Sequence, residues 1–366
     1  MKLFSSVSTL AVLALSFAGF AQAQQSRIPI YVHPRPSFDD AAVAPSSTPL
    51  QTWNGTFTYE GHTNNFVMVG TDPSKTNVTT NVSVLIIPIK LGIKGSSGVT
   101  YFDPLTKQSN GNTAVQNIVN SPLFQNQDYN QGGVDVGNTQ YEDAFQRANF
   151  WSDVMTNSDY HVVFNKPTVL PEYTFVIPSQ YGSIGNDFGV QVAQVDYNWF
   201  ISQVPAELAK LKQVQPNVLP IIIAYNTYWT SGPYIIGGWH DAYGNSNSPQ
   251  TYSVSTYIDA TSAFASDISA LSHELGEWMD DPYVDNTQGA CGGILEVGDP
   301  LENETAPHLY GDYLYTLNNY TYHVQDLVLL KYFGQTPATS VNSYWTFQGQ
   351  TDVTGEGEIG VCSFGQ

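Results

Sequence analysis

The stretch SALSHELGEWMDDP, residues 269–282, places one histidine among four acidic residues and contains no lysine or arginine. Apolar residues recur through it at the spacing of a helix, and Pro282 follows where a helix would stop. The pattern predicts a helix that begins near Ser266 or Asp267, either of which has a side chain suited to capping.

On this helix His273 and Glu277 are four residues apart, so both side chains lie on one face. Asp280 and Asp281 follow in the last turn, where the partial negative charge of the helix end disfavours anions. Residues 213–330 contain no lysine or arginine, and a bound metal ion would supply the missing positive charge. The alternative is a solvated acidic helix whose His273 is hydrogen-bonded inside the fold.

The order His-Glu-Leu-Gly-Glu at residues 273–277 differs from the His-Glu-x-x-His zinc signature in its last residue. Carboxylate oxygen and imidazole nitrogen both bind Zn²⁺, so Glu277 can still serve as a ligand. Glu296, in LEVGDP, lies nineteen positions further on. This arrangement resembles the gluzincin clan of zinc metallopeptidases, in which a glutamate ligand follows the second helix ligand by a similar interval. The resemblance implies His273, Glu277 and Glu296 as metal ligands, with Glu274 polarising a bound water.

The same resemblance implies a carboxylate that orients His273 through its other ring nitrogen, and Asp281 and Asp299 are the candidates. Because Glu277 replaces a histidine, the ligand set is more anionic and harder than that of the peptidases. Ca²⁺ or Mn²⁺ therefore stands beside Zn²⁺ as a candidate ion.

A second resemblance covers about 30 of the 366 residues and extends upstream through GGWHDAYG, residues 237–244. It consists of Ser-His-Glu-x-x-Glu, then Asp-Pro, then Glu-x-x-Asp, at Ser272, His273, Glu274, Glu277, Asp281, Pro282, Glu296 and Asp299. These motifs are similar to those of a looser group of secreted proteins that includes the plant EXORDIUM or phosphate-induced proteins. That group is linked to cell walls and growth, so the resemblance implies a cell-wall polymer as a partner without implying an activity.

Four further residues are weaker site candidates. His240, in a Gly-rich segment predicted to be a loop, would supply a ligand or a substrate contact, although a surface histidine is the more common interpretation of such a position. His308 and Tyr310, with Tyr313, follow Glu296 closely enough to stabilise an oxyanion.

The first 23 residues are typical of a secretory signal peptide, with one lysine, an apolar stretch from Leu10 to Phe20 and the cleavage sequence Ala21-Gln22-Ala23. The apolar stretch is too short to cross a bilayer, so the sequence predicts a secreted chain without a membrane span. A formal net charge of −20 excludes nucleic acid and anionic membranes as partners. Solubility is an equally good explanation of that charge.

Two cysteines, Cys291 and Cys362, predict one disulfide in a secreted protein, with two unpaired core thiols as the alternative. Glycosylation sequons mark exposed loops if the host is a eukaryote. They begin at Asn54, Asn77, Asn81, Asn303 and Asn319.

The order of apolar runs predicts an α+β fold with a mixed or antiparallel sheet and a zincin-like active-site helix in the C-terminal half. A buried strand is predicted at 82–91, and further strands are predicted at 217–226 and 251–259. Helices are predicted at 114–119, 140–151, 190–212 with a kink at Pro205, and 324–333. After the signal peptide, 1–23, we expect a β-rich region with polar loops at 24–140 and an α+β region at 141–366, or one continuous domain at 24–366.

The sequence thus predicts a secreted metal-dependent hydrolase, a zinc peptidase acting on a peptide or protein. Such a site requires the donor atoms of His273, Glu277 and Glu296 to lie roughly 2.0–2.2 Å from one point. The alternative is a non-catalytic extracellular or cell-wall-associated binding protein that retains a metal or a degenerate metal site.

Overall fold

A computed structural model describes most of the chain between residues 28 and 346. The described residues are 28–29, 37–38, 48–59, 62–131, 134–149, 154, 159–187, 189–260, 265–288, 293–294, 312–325, 327–328 and 345–346. The predicted signal peptide, Cys291 and Cys362 lie outside them, so the cleavage site and the disulfide stay predictions.

The described helices are α1 Ala114–Val119, α2 Tyr141–Asn149, α3 Tyr197–Ile201, α4 Val204–Leu208 and α5 Ser269–Asp280. The strands of the first half are β1 Ile28–Pro29, β2 Ser37–Phe38, β3 Thr52–Tyr59, β4 His62–Val69, β5 Thr79–Gly95, β6 Gly98–Phe102, β7 Gln127–Gln131, β8 Val134–Thr139, β9 His161–Phe164, β10 Thr168–Val169, β11 Tyr173–Ile177 and β12 Gly182–Asp187. Those of the second half are β13 Val190–Asp196, β14 Val218–Tyr225, β15 Thr227–Ser231, β16 Tyr234–Ile236, β17 Gly238–Gly244, β18 Gln250–Tyr257, β19 Thr287–Gln288, β20 Gly293–Ile294, β21 Asp312–Leu317, β22 Tyr320–Gln325, β23 Leu327–Val328 and β24 Trp345–Thr346.

A nine-stranded mixed sheet organises the fold, with the order β10-β5-β14-β18-β17-β2 and with β6, β9 and β11 also paired to β5. The central strands β5, β14 and β18 are parallel, whereas β17 runs antiparallel to β18. A five-stranded sheet has the order β1-β16-β15-β13-β12. The prediction of a mixed sheet is therefore confirmed, and the nine-stranded sheet joins strands from both sides of residue 140.

Both faces of the nine-stranded sheet are covered, which explains the continuous apolar run of β14. Along β14, Ile221 and Ile223 pack in the cluster that contains α2 and α5, whereas Ile222 packs in the cluster that contains α3 and α4. Successive side chains of a strand point to opposite faces, so the two clusters lie on opposite sides of this sheet.

Helix α5 is enclosed on all sides, since each of its twelve residues is buried. It packs against α2, β4, β17, β18 and β22. The alternative of a solvated acidic helix is therefore wrong. The predicted cap is also wrong: the residue before the helix is Ile268, which makes no capping side-chain bond, and Asp267 accepts from the Ile268 N–H instead.

Two predicted helices are corrected by the structure. Residues 190–196 form the strand β13, in which Val192 packs on one face and Ala193 and Val195 pack in the cluster of the α3–α4 side. Asp196 then caps α3 by accepting from the Trp199 N–H at 2.7 Å. Within 324–333, residues 324–325 belong to β22 and 327–328 form β23, while 326 and 329–333 lie outside the described residues.

The predicted loop between β14 and β18 is also corrected, because it contains β15, β16 and β17. Among the described helices the longest, α5, has twelve residues, and none has the length and apolar character that a bilayer-crossing segment needs.

Candidate metal centre between β17 and α5

The candidate site lies where α5 crosses β17, on the face of the sheet that α5 covers. Along β17, Trp239 and Asp241 point to the α3–α4 side, so the alternation of the strand directs His240 toward α5. His240 is only 2% exposed, and its expected position at the surface is therefore wrong. Its candidacy as a ligand is strengthened by the groups that it meets on α5.

Three potential ligand atoms converge at this crossing. His240, Glu274 and Glu277 each offer one donor atom, and these atoms all lie within 4.8 Å of one another. The Nδ1 atom of His240 is 3.2 Å from Glu274 Oε2 and 3.9 Å from Glu277 Oε2. Roughly 2.0–2.2 Å bonds at tetrahedral angles would separate two ligand atoms by about 3.3–3.6 Å, close to these distances.

His273 joins the cluster through Glu277. Its Nε2 atom is 3.1 Å from Glu277 Oε1, as the predicted placement of both side chains on one helix face requires. Its Nδ1 atom faces Gln325 Nε2 at 3.3 Å. Gln325 is not among the predicted site residues, because the sequence predicts a helix at 324–333 and gives no reason to place that helix beside His273.

The protonation of His240 determines what can lie beside it. Its Nε2 atom is 3.0 Å from the carbonyl oxygen of Asp281, which only accepts, so Nε2 carries a hydrogen. In the neutral ring Nδ1 then presents a lone pair toward the Glu274 carboxylate, and these two acceptors repel each other. A second proton or a metal ion between them removes that repulsion, and a carbonyl that fixes the tautomer is typical of a metal-ligating histidine.

Two glycines allow the close approach that builds the cluster. A Cβ atom on Gly238 of β17 would lie 3.0 Å from Glu274 Cγ and 2.9 Å from the Val254 carbonyl oxygen. A Cβ atom on Gly276 of α5 would lie 3.2 Å from Glu142 Oε2 on α2. Neither position accepts a larger residue without displacement of an acidic side chain or of the backbone.

The surroundings hold further carboxyl groups. Burial, and then the charge of Asp280, raises the pKa of Glu142 well above its usual range. Burial raises the pKa of Asp241 to about 6, against the hydrogen bonds that it accepts from the Ala242 N–H and the Tyr252 hydroxyl. Carboxyl groups beside the site are therefore held where little solvent reaches, which favours a bound proton or cation.

Asp281 contacts His240 through its backbone carbonyl, whereas the expectation was a contact between its carboxylate and His273. Its carbonyl oxygen receives the His240 ring, and its carboxylate accepts from the backbone N–H groups of Asp285 and Asn286. Glu296, Asp299, His308 and Tyr310 lie outside the described residues, so their proposed roles stay predictions.

No protein-family model, no curated protein and no solved structure matches this chain.

Proposed function

We propose that this chain is a secreted metal-dependent hydrolase of the peptidase type, with a divalent cation bound between β17 and α5. The observation that supports the proposal is the convergence of His240, Glu274 and Glu277, all 3% exposed or less, within 4.8 Å. Buried carboxylates are costly unless a positive partner compensates them. Because residues 213–330 lack lysine and arginine, neither strand nor helix supplies such a partner from a long basic side chain.

The donor atoms suit the cations that the sequence suggested. Two carboxylates and one neutral imidazole balance the charge of Zn²⁺ and match its preference for nitrogen and oxygen ligands. The larger share of oxygen also suits Mn²⁺ or Ca²⁺. Zinc is the first choice, because a histidine held by a backbone carbonyl is the usual partner of zinc.

In the hydrolase, His240 and Glu277 would hold the ion, and His273 would position Glu277 through the 3.1 Å contact. A bound divalent ion lowers the pKa of a water ligand and polarises a carbonyl group. Glu274, beside His240, would take the proton of the attacking water and pass it to the leaving amine. The sequence adds Glu296 as a further ligand.

A second candidate, a closed metal centre in a non-catalytic extracellular protein, is favoured by the burial of the cluster. Measured over the side chains alone, and not over whole residues, His240, Glu274 and Glu277 are 2%, 2% and 4% exposed. A catalytic zinc keeps a position open to substrate, whereas a structural one is enclosed by protein ligands. In that centre Glu274 is a ligand, and the protein would bind a cell-wall polymer or a partner elsewhere on its surface.

The experiment compares the chain with its Glu274→Gln, His240→Asn and Glu142→Gln variants, each stripped by chelation and reloaded with zinc. Metal is measured by elemental analysis, and cleavage is measured with a mixed peptide library. Glu142→Gln is the control, because it removes a buried carboxyl next to α5 that is outside the donor cluster.

We expect about one zinc per chain in the native protein and in the control, and a loss of zinc in His240→Asn. Zinc retention with loss of cleavage in Glu274→Gln supports the hydrolase. Zinc without cleavage in the native protein refutes the hydrolase and supports the closed centre. Absence of stoichiometric zinc, manganese and calcium binding by the native protein refutes both.

A further inference from the structure

A cavity of about 330 Å³ lies on the face of the nine-stranded sheet opposite to α5. Its floor is formed by Ile87 and Ile89 of β5 and by Ile222 of β14, and α4 covers it with Val204 and Leu208. These residues belong to the apolar cluster of the α3–α4 side, and no member of the candidate metal centre lines the cavity. A chain that buries its apolar side chains efficiently leaves few voids larger than a water molecule, so a cavity of this size is a candidate binding site.

An aromatic stack shapes one wall of this cavity. The Phe175 ring lines it and lies 5.7 Å from the Trp199 ring at an interplanar angle of 9°. Phe175 also meets the cavity-lining Phe200 ring edge-on at 5.9 Å. The wall is therefore held in place by ring contacts and is preformed for a ligand.

Charges at the rim of the cavity are paired with one another. Glu207 Oε1 is 2.6 Å from Lys210 Nζ, and its Oε2 accepts from the Tyr173 hydroxyl at 3.1 Å. Glu172, which also lines the cavity, is 3.8 Å from Lys90. A charged ligand would have to displace one of these pairs or meet a carboxylate, so the rim favours a neutral molecule.

We propose that this cavity binds a small, neutral, mostly apolar molecule that carries one hydroxyl group, such as a medium-chain alcohol. An engineered protein cavity of roughly 150 Å³ holds benzene, so 330 Å³ holds about a dozen non-hydrogen atoms. The apolar part lies on the isoleucine floor, and the hydroxyl group lies at the rim, where Glu207 accepts its hydrogen bond. This site is independent of the proposed metal chemistry.

The test is a calorimetric titration of the full chain with octan-1-ol and, separately, with octanoate at pH 8. We expect one saturable site for the alcohol and binding of octanoate that is weaker by about tenfold or more, because its carboxylate meets the acidic rim. Chelated and zinc-loaded protein should bind the alcohol equally. Failure of the metal proposal therefore leaves this result unchanged.

Variants locate the site. Val204→Phe fills the cavity and should weaken alcohol binding by about tenfold or more, whereas the control Val99→Phe adds the same ring at a position that is 39% exposed. Glu207→Gln releases Lys210 from its partner and should improve octanoate binding relative to the alcohol. If Val204→Phe does not fold, Gln203→Trp places a ring at the cavity lining and tests the same point.

Three results would overturn the proposal. These are the absence of saturable alcohol binding by the native chain, equal affinity for alcohol and octanoate in both the native chain and Glu207→Gln, and unchanged alcohol binding when the cavity is filled.

Discussion

Replacement of Gly238 by alanine tests the contact on which the candidate metal centre depends. The added Cβ atom would lie 2.9 Å from the Val254 carbonyl oxygen, 3.0 Å from Glu274 Cγ and 3.1 Å from Ser255 Oγ. Ordinary contacts of a Cβ atom begin near 3.4 Å, so each neighbour must move by a few tenths of an ångström. The Val254 oxygen belongs to the backbone of β18, which is fixed by pairing on both of its sides.

The expected change in unfolding free energy is the difference between two opposing effects. Overpacking of this kind costs about 1–3 kcal/mol. Alanine also restricts the unfolded chain, which stabilises the folded state by about 0.4–1 kcal/mol where the backbone conformation suits it. We expect Gly238→Ala to lose roughly 1–2 kcal/mol of unfolding free energy, and displacement of Glu274 to weaken zinc binding by about 10–100-fold.

The assay is urea unfolding followed by tryptophan fluorescence, together with a zinc titration of the same samples. Gly95→Ala is the matched control, since its Cβ atom would meet only the Gly98 carbonyl oxygen, at an ordinary 3.7 Å. Equal stability and equal zinc affinity in the two variants would show that the close approach of β17 to α5 does not shape the site.

Three further expectations can be checked by unfolding experiments. Removal of zinc by chelation should lower the unfolding free energy by about 2.7 kcal/mol relative to protein with free zinc at 100 times its Kd, and reloading should restore it. If the unfolding midpoint does not change on chelation or on reloading, the native state has no zinc site. Burial, and then the neighbouring Asp103, raises the pKa of Glu172. The folded state therefore keeps that proton to higher pH, and the associated stability is present below the unfolded pKa and lost as pH rises through the folded pKa. As the pH rises from 4 to 8, Glu172→Gln should become more stable relative to the native chain, by less than about 1 kcal/mol because the group is partly exposed. A stability difference that does not change with pH would argue against this origin. Trp278→Ala should cost about 3–5 kcal/mol, because the ring is fully buried on α5 with its centroid 6.1 Å from that of Phe164; a loss below about 1 kcal/mol would mean that the core refills the space.

The sequence predicted local features of the site better than distant ones. The pairing of His273 with Glu277 depends only on the geometry of one helix, and the structure gives that pair at 3.1 Å. His240 lies 34 residues from Glu274, and its approach depends on how β17 pairs with β18 and how α5 packs across both. Neither the pairing with β18 nor the packing of α5 leaves a pattern in residues 237–244, so these residues alone predict a Gly-rich loop.

In the fold, too, local features were easier to predict from the sequence than distant ones. The run of apolar residues in β14 predicted a strand, and the structure adds that it lies between two parallel partners and is buried on both faces. In β13 apolar and polar residues do not alternate strictly, because Val192 is buried on one face and Ala193 and Val195 on the other, so the sequence predicts part of a longer helix there. Asp196 marks the change from strand to helix, and its capping bond was the available signal.

The burial of acidic side chains changes how the molecule behaves in an electric field. Eight carboxyl groups among the described residues are buried, of the 32 acidic residues in the chain. They belong to Glu142, Asp143, Asp241, Asp267, Glu274, Glu277, Asp280 and Asp281. Three of them, in Glu142, Asp241 and Asp267, have pKa values raised by burial and so stay protonated at a pH where surface acids ionise. The folded chain should therefore focus at a pH above the value of 4.4 given by its composition.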